Sequence, residues 1–315
     1  MLLDSLILLA GGLMLYFGAE WLVRGAGALA YALGVRPLVV GLTVVSWGTS
    51  APELVVSLLA ALQGKSAIAL GNVVGSNIAN TGLILGVIAL VAPPKTDGCM
   101  RNRELVFLIG ATAAVPLLLL DGAINRLEGM LLLAAAVGFT LATVRWSRRR
   151  PAAPGYEVPE VVSTTTSKPV LVLLLVAGLT VLVAGGHAFV LGAVGLATAW
   201  GMSERVVGLT IVAIGTSLPE LAASLVAALR GESDLAVGNV VGSNVYNLLL
   251  ILGGTASITA ITGNLATLWT DFAFLAGLTL IAVWSLRRSR VVTRAEGGLY
   301  VASYASFVAL LAVQG

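Results

Sequence analysis

An internal repeat is the feature that most restricts how this chain can fold. Residues 41–86 and 208–253, the first and second copy, align without a gap at an offset of 167, and 30 of the 46 positions are identical. Weaker matches extend outward, since Gly18 falls on Gly185 and Phe107 falls on Phe274, which also aligns Glu20 with His187. Such self-similarity indicates duplicated structural units. The unit here is about half of the chain.

Lipid is the main solvent that this composition allows. Only 10% of the residues are charged and the mean hydropathy is +1.00, whereas soluble domains carry about 25% charged residues. A helix needs about 20 apolar residues to cross a bilayer. We therefore expect an all-α membrane protein with ten transmembrane helices. The ten candidate spans are 3–24, 37–62, 66–92, 104–120, 128–146, 169–191, 204–229, 234–261, 267–286 and 297–314. The junctions at Gly64-Lys65 and Gly231-Glu232 are very short, so we expect tight hairpins there.

The repeat unit contains five predicted spans, which is an odd number. The second unit therefore enters the membrane from the opposite side, and the sequence predicts two inverted five-helix repeats at 1–146 and 169–315. Residues 147–168 form the predicted linker between them. Many secondary transporters have this inverted organisation, with the site at the midplane where broken helices meet. A duplicated helical bundle without a transport role is the alternative.

The distribution of basic residues predicts the orientation in the membrane. Fifteen of the 18 Lys and Arg residues lie on one side of the predicted spans, and only Lys65, Arg126 and Arg205 lie on the other. The positive-inside rule then places both termini outside the plasma (inner) membrane and the linker in the cytoplasm. The first residues lack the basic start of a signal peptide, so the first span is expected to be a retained helix.

Several functional classes are disfavoured by what the sequence lacks. Cys99 is the only cysteine and His187 the only histidine, which excludes an intrachain disulfide, zinc clusters and paired-histidine haem ligation. The pI of about 9.2 does not indicate nucleic-acid binding, because the basic residues occur in short clusters between apolar runs. The sequence contains neither an HExxH motif nor a transmembrane aspartate pair, so it does not indicate an enzyme. No cofactor and no obligate protein partner are expected.

A Gly-Thr-Ser-x-Pro-Glu motif occurs in both copies, at 48–53 and at 215–220. A proline inside a helix removes one N–H and frees a carbonyl, which is costly in lipid unless it faces a cavity or a ligand. The hydroxyl residues precede the glutamate by three and four positions, so they share its helical face. A carboxylate at the centre of a span is expensive and indicates function. Glu53 and Glu220 are therefore the first candidate site residues.

A second motif, Gly-Asn-x-x-Gly-Ser-Asn-x-x-Asn, follows in the third helix of each repeat. Its polar residues are spaced by four, which places an amide and hydroxyl stripe on one face of an apolar helix. We expect the first asparagine to orient ligands and the middle asparagine to form hydrogen bonds between helices. The stripes are Asn72, Ser76 and Asn80, and Asn239, Ser243 and Asn247; the middle asparagines are Asn77 and Asn244.

Together the motifs predict a site with oxygen ligands only. Such ligands suit hard cations, and Ca²⁺ takes about 6–8 of them. Two ionised glutamates neutralise one Ca²⁺ and repel each other without it, so monovalent cations or protons must replace it. This competition between ions is the basis of an antiporter.

The two motifs, duplicated and inverted over ten helices, resemble the calcium/cation antiporter superfamily, and specifically prokaryotic sodium/calcium exchangers. The resemblance covers essentially the whole chain. It implies Ca²⁺ and Na⁺ as transported ions, Glu53 and Glu220 as central ligands, and carbonyl ligands for sodium at Ser46 and Ala213. It also implies that the first and sixth helices slide across the others. The surrounding ligands that it implies are Thr49, Ser50, Ser76, Asn80, Thr216, Ser217, Ser243 and Asn247.

Other interpretations of the same residues remain open. A calcium/proton exchanger of the superfamily would use the same glutamates, although the neighbouring hydroxyl groups favour sodium. A passive cation channel would not need paired carboxylates between inverted halves. Some relatives carry Asp where this chain has Asn247, which leaves the stoichiometry and potassium dependence open. Glu20 lies four residues before Arg24, and we expect an ion pair there.

Overall fold

The computed structural model describes residues 1–95, 103–148, 167–202, 213–288 and 291–314. Its elements are almost all helical. The helices are α1 Leu2–Leu33, α2 Pro37–Thr49, α3 Ala51–Leu62, α4 Ser66–Val91, α5 Glu104–Leu118, α6 Arg126–Arg148, α7 Lys168–Ala199, α8 Ala213–Gly215, α9 Leu218–Leu229, α10 Ser233–Ile258, α11 Trp269–Arg288 and α12 Arg294–Gln314. Two short strands, β1 Ala123–Ile124 and β2 Ile261–Thr262, pair antiparallel.

Nine of the predicted spans lie close to their predicted positions. Among the described residues, eight helices are long and apolar enough to cross a membrane, and α2 with α3 forms a further span that bends by 43°. The predicted span 204–229 begins outside the described residues, and its described part comprises α8 and α9. Most of the predicted linker 147–168 also lies outside them.

The predicted ends of the first and sixth spans were wrong, because α1 and α7 each contain 32 residues. A helix of that length measures about 48 Å, against a hydrocarbon core of about 30 Å. The prediction ended the first span at Arg24, but this side chain pairs with Glu20 of the same helix at 2.5 Å. The helix continues to Gly34, whose φ of 64° ends it in the left-handed region.

Helices α1 and α7 pack against each other through glycines spaced by seven residues. A Cβ added at Gly18 would lie 2.5 Å from the backbone nitrogen of Leu182, and one at Gly185 would lie 2.7 Å from that of Leu15. The backbones therefore touch, as small residues permit in membrane helices. The six glycines are Gly11, Gly18 and Gly25 in α1, and Gly178, Gly185 and Gly192 in α7, matched at the offset of the repeat.

Tight turns close the two predicted hairpins, as the sequence indicates. The turn after α3 has Gly64 at φ 74° and the turn after α9 has Gly231 at φ 79°. The next amide nitrogen returns to a carbonyl five residues back, from Lys65 to Ala60 at 2.9 Å and from Glu232 to Ala227 at 2.8 Å. This arrangement satisfies carbonyls at the helix end, and the positive φ requires glycine.

The helix directions define two ends of the molecule. Arg36, just before α2, bonds to Asp234 in the first turn of α10 at 2.7 Å, so α2 and α10 begin at the same end. We call this the Asn239 end. The chain crosses through α2 and α3, and α4 begins at the opposite end, which we call the Asn72 end. Helices α4 and α10 are the most buried spans and pack against α3 and α9.

Candidate cation-binding site

Two glutamates lie in the first turns of α3 and α9, where the chain has just been interrupted. Ser50 (φ −83°, ψ 6°) and Ser217 (φ −89°, ψ 5°) leave the helical conformation directly before these helices. The motif prolines then fall within the first two positions of each new helix, where proline is tolerated. Glu53 and Glu220 are each 1% exposed.

The carboxylates are surrounded by hydroxyl groups from the other copy of the repeat. The hydroxyl of Ser50 donates to Oε1 of Glu220 at 3.0 Å. Thr216, Ser217 and Glu220 of the second copy lie in the neighbourhood of the Glu53 carboxylate. Both carboxylate oxygens of Glu53 and Oε2 of Glu220 have no hydrogen-bond partner among the described residues. An ionised carboxylate buried in this way is costly unless a cation offsets its charge.

The last asparagine of the second motif, in α4 and in α10, adds a buried amide to each copy. Asn80 is 1% exposed and Asn247 is fully buried, and within the described part of the chain both amide groups lack a hydrogen-bond partner. Each asparagine begins a π-helical turn, over Asn80–Ile84 and Asn247–Ile251. Such turns occur frequently at functional sites. Ser76 and Ser243, one turn earlier, are also buried.

The end of α2 contacts α10 through two hydroxyl residues. Thr49 is fully buried, and its Oγ1 lies 3.4 Å from the carbonyl of Ser46 and from Oδ1 of Asn239. The hydroxyl of Ser46 donates to the Gly41 carbonyl at 2.5 Å and to the Asn239 carbonyl at 3.0 Å. The carbonyl of Ser46 accepts the Ser50 amide at 3.1 Å. Its counterpart Ala213 is the first residue of α8.

For the middle asparagines of the second motif, the structure confirms one prediction and contradicts the other. The Asn244 amide donates to the Thr81 hydroxyl at 2.7 Å, which confirms a hydrogen bond between helices α10 and α4. The Asn77 amide instead donates to the Val73 carbonyl of its own helix at 2.7 Å, so the prediction for Asn77 was wrong. An asparagine can donate to the carbonyl four residues back, which satisfies its amide locally.

Two serines near the site were missed by the sequence analysis. Ser57 and Ser224 are fully buried and accept hydrogen bonds from Asn72 and Asn239, each at 2.9 Å. A signal was present, because both serines follow a motif glutamate by four residues in matched positions. The predicted pair of Glu20 and Arg24 is confirmed, but the second partner of Glu20, Arg230, was also missed.

The arrangement suits hard cations better than a resident transition metal. Among the described residues, no group of three His, Cys, Asp or Glu side chains is placed to hold a metal ion. The buried groups at the interrupted helices are carboxylate, hydroxyl and amide oxygens, which are ligands of sodium and calcium.

Comparison with known proteins identifies the family. The family described as "Sodium/calcium exchanger protein" matches residues 4–145 and 170–313. This chain belongs to the sodium/calcium exchanger family. The exchanger is thus a membrane antiporter for calcium and other cations, and it is not an enzyme. The gap between the two matched ranges falls where the linker was predicted.

Curated relatives cover nearly the whole exchanger. It is 35% identical to "Inner membrane protein YrbG" of Escherichia coli strain K12, over 99% of this chain and 97% of the relative. It is 31% identical to "Sodium/calcium exchanger MaX1" of Methanosarcina acetivorans, over 98% of both chains. A "Putative antiporter CaxA" of Alkalimonas amylolytica is 38% identical, over 80% of this chain and 81% of the relative.

A solved exchanger structure has the same fold. The sodium-calcium exchanger NCX_Mj, soaked with Na⁺ and Sr²⁺, superposes with a TM-score of 0.85 at 30% sequence identity and covers 98% of each chain. The same protein soaked without Na⁺ and Ca²⁺ also gives a TM-score of 0.85, at 31% identity. The all-helical architecture of this exchanger is therefore that of an established cation exchanger.

Proposed function

We propose that this exchanger moves Ca²⁺ in one direction and Na⁺ in the other through a site that faces each side of the membrane in turn. One observation carries the proposal. Glu53 and Glu220 come from the two copies of the repeat, are each 1% exposed, and keep three carboxylate oxygens without a partner among the described residues. Two buried negative charges facing each other require a cation, and oxygen ligands select a hard one.

Neutral oxygen groups complete the proposed ligand set. Glu53 and Glu220 are the central ligands for Ca²⁺, and the carbonyls of Ser46 and Ala213 join them when sodium is bound. The buried hydroxyl and amide groups of the two motifs supply the other contacts. The buried residues are Thr49, Ser50, Ser76, Asn80, Ser217, Ser243 and Asn247, and Thr216, which is partly buried, joins them.

Coupling between the ions follows from charge. One Ca²⁺ neutralises both carboxylates, and its departure leaves two like charges in a site of low dielectric constant. Sodium ions restore neutrality and use the neutral hydroxyl and carbonyl oxygens as further ligands. Protons could neutralise the carboxylates but would leave those additional oxygens without a role. The number of hydroxyl groups beside the carboxylates therefore favours sodium as the coupling ion.

The proposed architecture consists of ten transmembrane helices in two inverted five-helix repeats, at 1–146 and 169–315. A cytoplasmic linker at 147–168 joins the repeats. Support comes from contacts between matched positions: the hydroxyls of Thr112 and Thr279 are 3.4 Å apart and differ by the repeat offset. A residue meets its own counterpart only on a two-fold axis, and this axis lies in the membrane plane if the halves are inverted.

The proposed location is the inner membrane with both termini outside. The asymmetry of 15 basic residues against 3 supports this orientation, and one relative is named as an inner membrane protein. In this orientation the Asn239 end is cytoplasmic. Protease added to sealed vesicles of known orientation tests this proposal, because an N-terminal tag is cleaved only when it lies on the outer face of the vesicle.

Calcium uptake into proteoliposomes tests the function. Three sets of vesicles contain the purified exchanger: one loaded with sodium, one with potassium at the same pH, and one with an imposed pH gradient without sodium. We expect uptake only with internal sodium. Uptake driven by the pH gradient would contradict sodium coupling and indicate proton exchange. Uptake that requires no counter-ion gradient would indicate a passive channel instead.

A further inference from the structure

Two asparagines outside the proposed ligand set occupy matched positions in the two copies. Asn72 lies in the second turn of α4 and Asn239 in the second turn of α10. Each amide donates to a fully buried serine, from Asn72 to Ser57 and from Asn239 to Ser224, both at 2.9 Å. Each serine is one helical turn after a motif glutamate. Each asparagine thus attaches the helix that carries the glutamate to the next helix.

The other contacts of the two asparagines differ. Oδ1 of Asn239 lies 3.4 Å from the Thr49 hydroxyl of the first copy, which is as far from the Ser46 carbonyl, so the one Thr49 hydrogen is shared between these two acceptors. The Asn72 amide donates instead to the Glu53 carbonyl of its own copy, at 3.2 Å. The sequence would also allow Asn72 to contact Thr216 and Asn239 to contact the Glu220 carbonyl, because these residues are the counterparts of Thr49 and Glu53. Two matched residues therefore hold two different sets of partners.

The contact between Asn239 and Thr49 affects a proposed ligand directly. A hydroxyl group has one hydrogen and two acceptor lone pairs. When Thr49 donates its hydrogen to Asn239, its lone pairs are turned away from that amide oxygen and are left for a cation. The same bond joins the two copies on the Asn239 side of the glutamates. It therefore orients a ligand and joins the two copies in one contact.

We propose that Asn72 and Asn239 are positioning residues that exchange these partner sets when the site changes the side it faces. This inference rests on the proposed alternating access. We assign the described state, in which Asn239 contacts Thr49 and further contacts join the halves at the Asn239 end, as the one closed at that end. In the opposite state, Asn72 accepts the hydrogen bond from Thr216, the Asn239 amide donates to the Glu220 carbonyl, and the Asn72 end is closed. The contacts with Ser57 and Ser224 persist in both states.

Opposite shifts in apparent affinity test the exchange of partners. Thr49→Val removes an exchanged bond from the described state only, so we expect the ratio of the apparent KM for Ca²⁺ at the Asn72 face to that at the Asn239 face to rise. Thr216→Val removes the matching bond of the opposite state and should lower this ratio; because each variant also loses a proposed ligand on both faces, the ratio and not the single KM values is compared. One hydrogen bond corresponds to shifts of about threefold to tenfold. The measurement uses proteoliposomes of a single insertion direction, selected by capture of a terminal tag, with Ca²⁺ varied on the outer face.

Matched variants separate this role from a merely structural one. Ser57→Ala and Ser224→Ala remove the contacts that both states share, and we expect them to leave the ratio of the two KM values unchanged. Asn72→Leu and Asn239→Leu each remove one exchanged contact from both states, and we expect them to leave the ratio nearly unchanged as well. A shift of the ratio in the same direction for both threonine variants, or a loss of rate without a change in the KM ratio, would overturn the inference.

The same experiment distinguishes failure of this inference from failure of the proposed function. Sodium-driven uptake by the unaltered exchanger must be present before the variants are compared. Its absence would contradict the proposed function itself. Its presence together with parallel shifts in the two variants would leave sodium/calcium exchange standing and remove only the exchange of partners.

Discussion

The two ends of the exchanger are built from matching sequence but are joined differently. At the Asn239 end, three contacts connect the two halves: Ser46 to the Asn239 carbonyl at 3.0 Å, Arg36 to Asp234 at 2.7 Å, and Glu20 to Arg230, whose Nε lies 3.0 Å from the carboxylate. The residues matched to Ser46, Asp234 and Arg230 are Ala213, Ala67 and Gln63. These side chains cannot repeat the same contacts at the Asn72 end.

The difference separates what the duplication conserves from what it does not. Apart from Ser46, whose counterpart is Ala213, the motif glutamates, hydroxyls and amides near the interrupted helices are the same in both copies, and a site that serves two sides of a membrane needs this equivalence. The charged contacts lie away from those residues, and among the described residues they occur at the Asn239 end and not at the matched positions of the Asn72 end. In the proposed cycle they lower the energy of the described state relative to its opposite, because opening the Asn239 end must separate them.

The strongest test of equivalence at the centre is the removal of one charge from each half. Glu53→Gln and Glu220→Gln each leave a single carboxylate to balance the ion. We expect each to reduce sodium-driven calcium uptake by about 100-fold or more, which corresponds to about 3 kcal/mol. A large loss in only one variant would break the equivalence of the two copies. Asp121→Asn, which changes an exposed carboxylate, is the matched control and should retain uptake.

The glycine contacts between α1 and α7 should also be equivalent in the two halves. Gly18→Ala places a methyl group 2.5 Å from the Leu182 nitrogen, and Gly185→Ala places one 2.7 Å from the Leu15 nitrogen. We expect each to destabilise the fold by about 1–3 kcal/mol through overpacking, measured by thermal unfolding in detergent. Gly12→Ala is the control, because its nearest neighbour atoms lie at 3.9 Å. Equal unfolding temperatures for all three variants would contradict the close packing.

The charged contacts should be unequal between the halves. Glu20 is 6% exposed, and Glu20→Gln leaves Arg24 and Arg230 without their shared carboxylate. Since both arginines are partly exposed, we expect a loss of about 1–2 kcal/mol in thermal stability. The counterpart change His187→Gln should have little effect. A comparable loss in the His187 variant would remove the asymmetry described above.

The smallest expected effect lies on the proposed axis itself. Thr112→Val or Thr279→Val leaves the other buried hydroxyl without its partner, which costs about 1 kcal/mol. The double variant removes both polar groups and should be nearly as stable as the unaltered exchanger. A double-mutant cycle from thermal unfolding measures this coupling. Additive losses would show that the two hydroxyls do not depend on each other.

The sequence predicted most of the fold because hydropathy and the repeat are both local signals. Nine spans, both hairpins and the pair of Glu20 and Arg24 could be read from the residues alone. The true lengths of α1 and α7 could not, because a charged residue was taken as a helix end although its partner kept it within the helix. Helices end where the backbone conformation changes, as at Gly34, and not where the hydropathy falls.

The site was predicted less completely, for a different reason. The motif identified the glutamates and the residues on their helical face, but contacts between distant segments leave no local signal. Arg230 lies 210 residues from Glu20, and nothing near either residue indicates their pairing. Ser57 and Ser224 were overlooked because a serine in a membrane helix usually bonds to its own backbone.

The π-helical turns that begin at Asn80 and Asn247 also bear on the history of the chain. Such a turn contains one residue more than an α-helical turn, so it corresponds to a single-residue insertion in a regular helix. Both halves carry it at the same repeat position, although the following residues differ, as in Thr81 and Leu248. The insertion is therefore most simply older than the duplication. The ancestral half-length protein then already had a widened turn in the helix that follows its single glutamate.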